Sequence, residues 1–337
     1  MNNKPLVSVI TPCYNGECHV GRLISSILNQ TYENIEFIIV NDGSTDDSEK
    51  IILSYKEEFE KKGYIFKYIK QNNKGLGGAI NKGLKFFTGE FLCWPDSDDY
   101  LEKDSIEQRI KVLLDNPEYA VVTSNAYIRK SDNLEEYRLL VNKENRKYVE
   151  TPDAFYSLLM GKGVFCSGCH MIRVSMFLDV NPNREIYEAK RGQNWQMLLP
   201  VFFKYKRFFL DIPLYNYIDY PESMSKNQNN LESLFCRLCE HENIIISTLF
   251  MIEKYQCIKL DSLRDDVKSD YLRKKLELAL EFGDRKLYKK LFQQKRYYTV
   301  SIKENILFVL AQNSISFKIY RLVRNCFRKL YSIVHTQ

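Results

Sequence analysis

The sequence predicts an α/β fold: a mainly parallel, doubly wound sheet flanked by helices, followed by a helical C-terminal region. Three observations carry this. In the first 125 residues, five short apolar runs alternate with stretches whose apolar residues recur every three to four positions, the pattern of strands alternating with amphipathic helices. The runs Val7–Ile10, Ile35–Val40 and Phe91–Trp94 are nearly continuous in β-branched or aromatic residues, as strands covered on both faces are. From Leu231 to Gln337 there is no Pro, and Gly283 is the single Gly, so little there interrupts a helix.

In chain order, strands are expected at Val7–Ile10, Ile35–Val40, Tyr64–Ile69, Phe91–Trp94 and Ala120–Val122. Helices are expected at Val20–Leu28, Ser48–Phe59, Ala79–Phe87 and Ser105–Leu114. The second helix has a start signal in Ser44, Thr45 and Asp46, whose side-chain oxygens can cap free backbone N–H groups. From Leu134 to Pro221 the pattern is less regular, with aromatic runs at Val201–Phe209 and Tyr215–Tyr220. The domain boundaries that follow are residues 1–225, divided at 125/126, and a helical region over 226–337.

Composition narrows the function. With 45% hydrophobic and 27% charged residues the chain is globular, and a net charge of +6 with acids interspersed gives no case for a nucleic-acid partner. The N-terminal apolar run is too short for a signal peptide, and no window reaches the roughly 18–20 apolar residues of a membrane span. Nine scattered cysteines read as reduced thiols. These features together point to a cytoplasmic protein. The pairs Cys166/Cys169 and Cys236/Cys239 could be drawn as a zinc site, but the second pair sits on one face of an apolar helical run.

Doubly wound sheets bind ligands beyond the carboxyl ends of their strands. Four polar, turn-prone loops follow strands here: Thr11-Pro12-Cys13-Tyr14-Asn15-Gly16, Asn41-Asp42-Gly43-Ser44-Thr45-Asp46, Gln71 to Gly78, and Pro95-Asp96-Ser97-Asp98-Asp99. In the last, three carboxylates in four residues repel one another unless a cation sits among them. Mg²⁺ and Mn²⁺ take oxygen ligands and share them with substrate phosphates. Asp42, ending an apolar strand, can accept hydrogen bonds from a nucleobase or ribose, and Gly43 lets the backbone pass close to a ligand.

These segments, in this order and spacing, resemble the family 2 glycosyltransferases of GT-A (Rossmann-like) fold. The likeness runs from Val9-Ile10-Thr11-Pro12 through Asn41-Asp42-Gly43-Ser44 and Asn73-Lys74-Gly75 to Asn81-Lys82-Gly83, Thr88-Gly89-Glu90-Phe91 and Asp96-Ser97-Asp98-Asp99. It implies a transferase that takes a hexose or N-acetylhexosamine from a nucleotide sugar, usually UDP-linked. The acceptor would be a glycan or lipid-linked molecule in cell-surface polysaccharide synthesis, and transfer would go with inversion. By the same resemblance Thr11, Pro12, Tyr14, Asn15, Asp42, Asn73, Gly75, Asn81, Asp96 and Ser97 would bind the nucleotide sugar. Asp98 and Asp99 would hold Mn²⁺ or Mg²⁺. Ile80 stands where the family often carries Arg, leaving Lys74 and Lys82 as substitutes for a phosphate contact. A nicotinamide-dependent oxidoreductase is set aside, because the first strand is not followed by G-x-G-x-x-G.

On the acceptor side, an inverting transferase needs a base for the incoming hydroxyl. The family's Asp would fall in Gly192-Gln193-Asn194-Trp195, where this chain has Asn194, and an amide is no base. Three alternatives stay open: Glu185 or Glu188 takes the role, the acceptor is activated otherwise, or transfer is lost and the chain is a sugar-nucleotide-binding subunit of a synthase complex. The first is favoured. Trp195 and His170 are expected to line the acceptor cleft. Finally, Ser314 to Val334 combines five Lys/Arg, no acid and apolar residues at helical spacing. This suits either a helix packed on the protein or a peripheral contact with the inner face of the plasma membrane.

Overall fold

A computed structural model describes residues 4–221, 230–294, 302–320 and 322. The first strands and helices in chain order are β1 (Val7–Cys13), α1 (Val20–Leu28), β2 (Ile35–Asn41), α2 (Ser48–Ser54), α3 (Lys56–Lys62), β3 (Ile65–Lys70), α4 (Gly75–Leu84) and β4 (Phe91–Cys93). They are followed by β5 (Tyr100–Leu101), α5 (Ser105–Asp115), β6 (Tyr119–Lys130), β7 (Asn133–Leu139), α6 (Phe155–Leu159), β8 (His170–Arg173), α7 (Val174–Val180), α8 (Gln193–Lys204) and β9 (Lys206–Asp219). Then come α9 (Leu231–Gln256), α10 (Asp261–Phe282), α11 (Arg285–Phe292) and α12 (Ile302–Leu310), with a further helical stretch over 314–320.

Among the described residues one sheet runs in the order β3-β2-β1-β4-β8-β6-β9-β5, with β7 added to β6. The pairs β3/β2, β2/β1, β1/β4 and β6/β9 are parallel. The short strand β8 runs antiparallel between β4 and β6. Every residue of β1 and β2 is buried, which is why both read as nearly continuous apolar runs rather than alternating ones, the polar Ser8 and Glu36 being bonded to each other. Their register, Val7 against Ile35 through Cys13 against Asn41, ends the two strands level, so the loops that follow emerge side by side.

The structure departs from the expected elements in instructive places. The helix expected over Ser48–Phe59 is two, divided at Tyr55, whose hydroxyl lies 3.5 Å from Ser25 on α1. The helix expected over Ala79–Phe87 begins four residues earlier, through Gly75, Gly77 and Gly78. Those glycines weaken a helix by propensity, yet close packing requires two of the helix's four: a Cβ on Gly83 would meet Ile10 at 2.4 Å, and one on Gly77 the Ala189 backbone at 2.7 Å. The strand expected at Ala120–Val122 extends to twelve residues.

The chain divides into two compact units, Met1–Ser223 with Ser247–Ile258, and Met224–Ile246 with Lys259–Gln337. The first has a core of sheet and helix residues including Val9, Leu23, Phe37, Phe59 and Met171. The second packs Leu276, Leu280, Tyr288, Phe292, Leu307 and Phe317 together. No helix among the described residues is long and apolar enough to cross a membrane. Of the basic segment Ser314–Val334, residues 314–320 and 322 are helical and the others lie outside the described residues.

Candidate active site

The site forms where β1, β2, β3 and β4 end together. Asn41, the last residue of β2, donates from Nδ2 to the Tyr68 hydroxyl at 2.9 Å and accepts from the Ser44 N–H at 2.9 Å, which closes the turn after the strand. Gly43 has φ +76°, and a Cβ there would lie 2.8 Å from the Asn73 nitrogen. Only glycine allows the loops after β2 and β3 to touch in this way. Asp42 then reaches across: its Oδ1 accepts from Gln71 Nε2 at 2.7 Å and from the Lys74 N–H at 2.9 Å. Among the described residues no hydrogen bond reaches Asp42 Oδ2, which leaves it as an acceptor for a ligand.

Asn15, in the left-handed region at φ 49°, accepts from the Thr45 N–H at 2.9 Å, while its own N–H donates to Ser44 at 3.0 Å. Three loops are thus cross-bonded into one rim before any ligand arrives. Tyr14 and Asn73 are exposed on that rim, with Gly75 beside them at the start of α4. Thr11 and Pro12, expected to line the pocket, are the buried continuation of β1. Thr11 donates to the Pro95 carbonyl at 3.2 Å and so ties β1 to the acidic loop.

The three carboxylates of that loop have three different surroundings. Asp96 accepts from Ser167 at 2.6 Å and from Gln193 at 3.4 Å. Burial, and next the charge of Asp98, push its carboxyl up to about 7. Asp99 is 1% exposed and accepts from the Ile218 N–H of β9 at 2.8 Å. Burial and its two acidic neighbours push it well above the usual range. Its carboxylate is engaged in joining the loop to β9. No hydrogen bond from another described residue reaches the Asp98 carboxylate. Burial raises it, and the nearby His19 and Arg22 oppose the rise. Ser97 sits beside the Cys13 thiol.

Among the described residues no group of three or more Asp, Glu, His or Cys is arranged to hold a metal ion alone. What the loop offers is one uncommitted carboxylate, Asp98, whose charge raises the pKa of both Asp96 and Asp99. That donor set fits Mg²⁺ or Mn²⁺ when substrate phosphates supply further oxygens; it does not fit a closed protein cage.

Sequence reading missed a support group around Asp98. Arg22 of α1 donates to the Asp98 backbone carbonyl and, at 2.8 Å, to the Tyr220 hydroxyl. Tyr220 in turn lies 3.1 Å from His19 Nδ1, their rings 4.6 Å apart. Arg22 lies on the polar face of α1, with Ser25 and Ser26 three and four residues on, so nothing local set it apart.

The residues expected on the acceptor side are placed differently from one another. His170 is 1% exposed, stacked on Trp94 and 3.0 Å from Thr123, and burial, then Arg207, push it down to about 3. It is a neutral core residue rather than part of a cleft wall. Trp195 is also buried, donating to the Leu158 carbonyl at 2.8 Å. Asn194 accepts from Trp94 Nε1 at 2.9 Å and donates to the Phe165 carbonyl. Both ends of its amide are used to join three segments. Its neighbour Gln193, with Ser167, is what reaches Asp96.

Glu185 and Glu188 lie exposed on a loop that runs back along α4. Glu185 is 3.9 Å from Lys85 at the helix's far end, Ile186 is held by both polar atoms of Asn81 at 2.7 and 2.8 Å, and the Ala189 carbonyl accepts from Gly77 at 2.9 Å. From Gly77 to Lys85 a helix rises about 12 Å. Glu188 therefore lies near the strand ends and Glu185 away from them. Of the lysines considered beside Ile80, Lys74 caps α4 at the rim and Lys82 lies over the Phe86 ring.

Comparison with known proteins agrees with this geometry. Residues 8–180 match the family described as glycosyl transferase family 2. An uncharacterized glycosyltransferase of Rickettsia typhi is 38% identical over 156 residues, 46% of this chain and 43% of that protein. The protein EpsH of Bacillus subtilis is 42% identical over 117 residues, 35% of this chain and 33% of that one. The matches thus span less than half the length of these relatives. Among solved structures, the 1–349 region of Staphylococcus aureus TarS in complex with UDP-GlcNAc aligns with a TM-score of 0.55 at 18% identity, covering 96% of this chain and 92% of that one. At that identity the likeness is one of fold, GT-A-like with a helical C-terminal region. With half of its length matched and its loops arranged in this way, the chain belongs to glycosyl transferase family 2.

Proposed function

We propose that the protein is a glycosyltransferase that moves a hexose or N-acetylhexosamine from a UDP-linked sugar to a glycan or lipid-linked acceptor in cell-surface polysaccharide synthesis, with inversion. The observation that carries this reading is the rim itself. Asp42, with one carboxylate oxygen uncommitted, and Asp98, with its carboxylate uncommitted, end neighbouring parts of one sheet edge behind a pre-bonded loop cluster. UDP-GlcNAc and UDP complexes of TarS favour a uridine donor.

In this reading Asp42 accepts from the base, with Tyr14 and Asn15 walling the pocket. Asp96, held by Ser167 and Gln193, takes a ribose or sugar hydroxyl. Asp98 would hold Mn²⁺ or Mg²⁺, and such an ion, when bound, supplies Lewis-acid stabilisation to the departing diphosphate. Arg22 fixes the Asp98 backbone, and Asp99 anchors the loop to β9. Glu188, nearer the strand ends than Glu185, is the candidate base; Asn194 positions Trp94 and Phe165.

The test is turnover. With Mn²⁺ present, the full chain should release UDP from at least one UDP-sugar in a panel, faster with a lipid-linked or glycan acceptor. If no nucleotide sugar binds or turns over, the reading fails. The amide at Asn194 favours one second reading, a donor-binding subunit without transfer; metal-dependent UDP binding with no turnover on any acceptor would support it.

A further inference from the structure

The charge of the chain is divided very unevenly. Residues 285–337 hold twelve Lys/Arg and a single acid, Glu304, so that a chain of net charge +6 is net negative over residues 1–284. Within the described part of this basic region, apolar side chains face outward. In the helical stretch 314–320 with residue 322, Phe317 is buried against Tyr288, ring centroids 5.7 Å apart. Ile315, Ile319 and Leu322, spaced i, i+4, i+7 and hence on one helix face, point away from that core at 67%, 56% and 66% exposure. On α12, Leu307 is buried, while Ile306 and Val309 are 55% and 68% exposed and border a shallow hollow of about 330 Å³ lined by Asn305, Ile306, Val309 and Leu310. Lys286, Lys290 and Lys318 are exposed in the same unit.

Exposed aliphatic residues at this density are uncommon on a soluble surface and mark a binding face. We infer that this face docks on an anionic lipid surface, with Ile306, Val309, Ile315, Ile319 and Leu322 entering the boundary between headgroups and acyl chains and the exposed Lys286, Lys290 and Lys318 meeting acidic headgroups. Two features select that occupant. Aliphatic side chains gain nothing from a phosphodiester backbone, so an RNA or DNA partner leaves the apolar half of the face unexplained. A second copy of the chain would bring two strongly basic regions together. An anionic bilayer satisfies both halves at once, since apolar insertion and polybasic attraction add. The inference does not depend on the transfer reaction.

The test is co-sedimentation of the full chain with phosphatidylcholine vesicles, with and without phosphatidylglycerol. At least about tenfold tighter partitioning to the anionic vesicles is expected, weakening as salt is raised. Ile315→Ser combined with Ile319→Ser changes two exposed residues and should leave the melting temperature in place while lowering vesicle binding about tenfold. Lys318→Glu should lower it on anionic vesicles only. Equal binding to neutral vesicles, no binding to either, or unchanged binding by the serine variant would overturn the inference. So would retention by RNA or heparin without vesicle binding, or concentration-dependent dimerisation that the serine changes abolish.

Discussion

Replacing Asn194 by Asp separates two accounts of the acceptor side. If Asn194 marked a base that this chain has lost, restoring the carboxylate would raise transfer. The structure predicts the reverse. The Asn194 amide donates to the Phe165 carbonyl and accepts from Trp94 Nε1 in a buried position. A carboxylate keeps the second bond and turns the first into a contact between two acceptors. Losing that donor and leaving a partly buried carbonyl unpaired costs about 2–3 kcal/mol, or roughly 3–4 °C in melting temperature at this size. Burial would also raise the new carboxyl above its ordinary value of about 3.9. Protonated, it can donate to Phe165 again. The native state would then bind the extra proton, so the variant's deficit should be small in acid and grow as pH rises through the raised pKa. Urea unfolding of Asn194→Asp and wild type at pH 4.5 and 8 measures this. Wild-type stability of the variant at pH 8, or faster transfer by it, would refute the reasoning.

Other perturbations give equally definite outcomes. Asp42→Ala removes the acceptor of Gln71 and Lys74 along with the proposed base contact, and should weaken UDP binding about 10- to 100-fold by calorimetry. Asn81→Ala releases both bonds to Ile186, costing about 1–3 kcal/mol, and should speed tryptic cleavage after Lys190 or Arg191. Arg22→Gln should raise the Mn²⁺ concentration needed to support UDP binding about tenfold, with Arg22→Lys intermediate, because the Asp98 carbonyl loses its guanidinium partner. His170 is held neutral in the fold, down to about 3, against an ordinary 6.5. Its contribution to stability is therefore present above pH 6.5 and lost as pH falls towards 3, about 2–3 kcal/mol of it by pH 4.5. Wild-type unfolding should show that slope, and His170→Gln should flatten it.

What the sequence makes legible follows from how local each determinant is. The strands β1, β2 and β4 are covered on both faces, so their apolar runs appear directly in the sequence. Strand β9 is not legible in that way: it mixes exposed Asp211 and Ile212 with buried Leu214 to Asn216, and its pairing with β6 shifts register between Ser124 and Asn125. Its periodicity is therefore broken. In the site, Asn15 bonds to Ser44 and Thr45, 29 and 30 positions away, and stood out only through the resemblance, while Asn41, which holds the Ser44 N–H, and Gly43, which turns the chain at φ +76°, act locally and could be read. The partners of the acidic loop could not. Ser167 and Gln193 come 71 and 97 residues after Asp96, and Tyr220 lies 198 residues from Arg22. His170 and Trp195 sit in segments that do approach the site, but burial turns their side chains into core, a distinction that residue type alone does not carry.

The central claim is that one sheet edge binds a nucleoside diphosphate with a cation held by Asp98. Calorimetric titration of UDP into wild type and Asp98→Asn, each with and without Mn²⁺, tests it most directly. Wild type should bind UDP at least about tenfold more tightly with Mn²⁺, and Asp98→Asn should lose that increment while keeping its metal-free affinity. Failure of wild type to bind UDP with Mn²⁺ present, or an increment that persists in Asp98→Asn, would contradict the account.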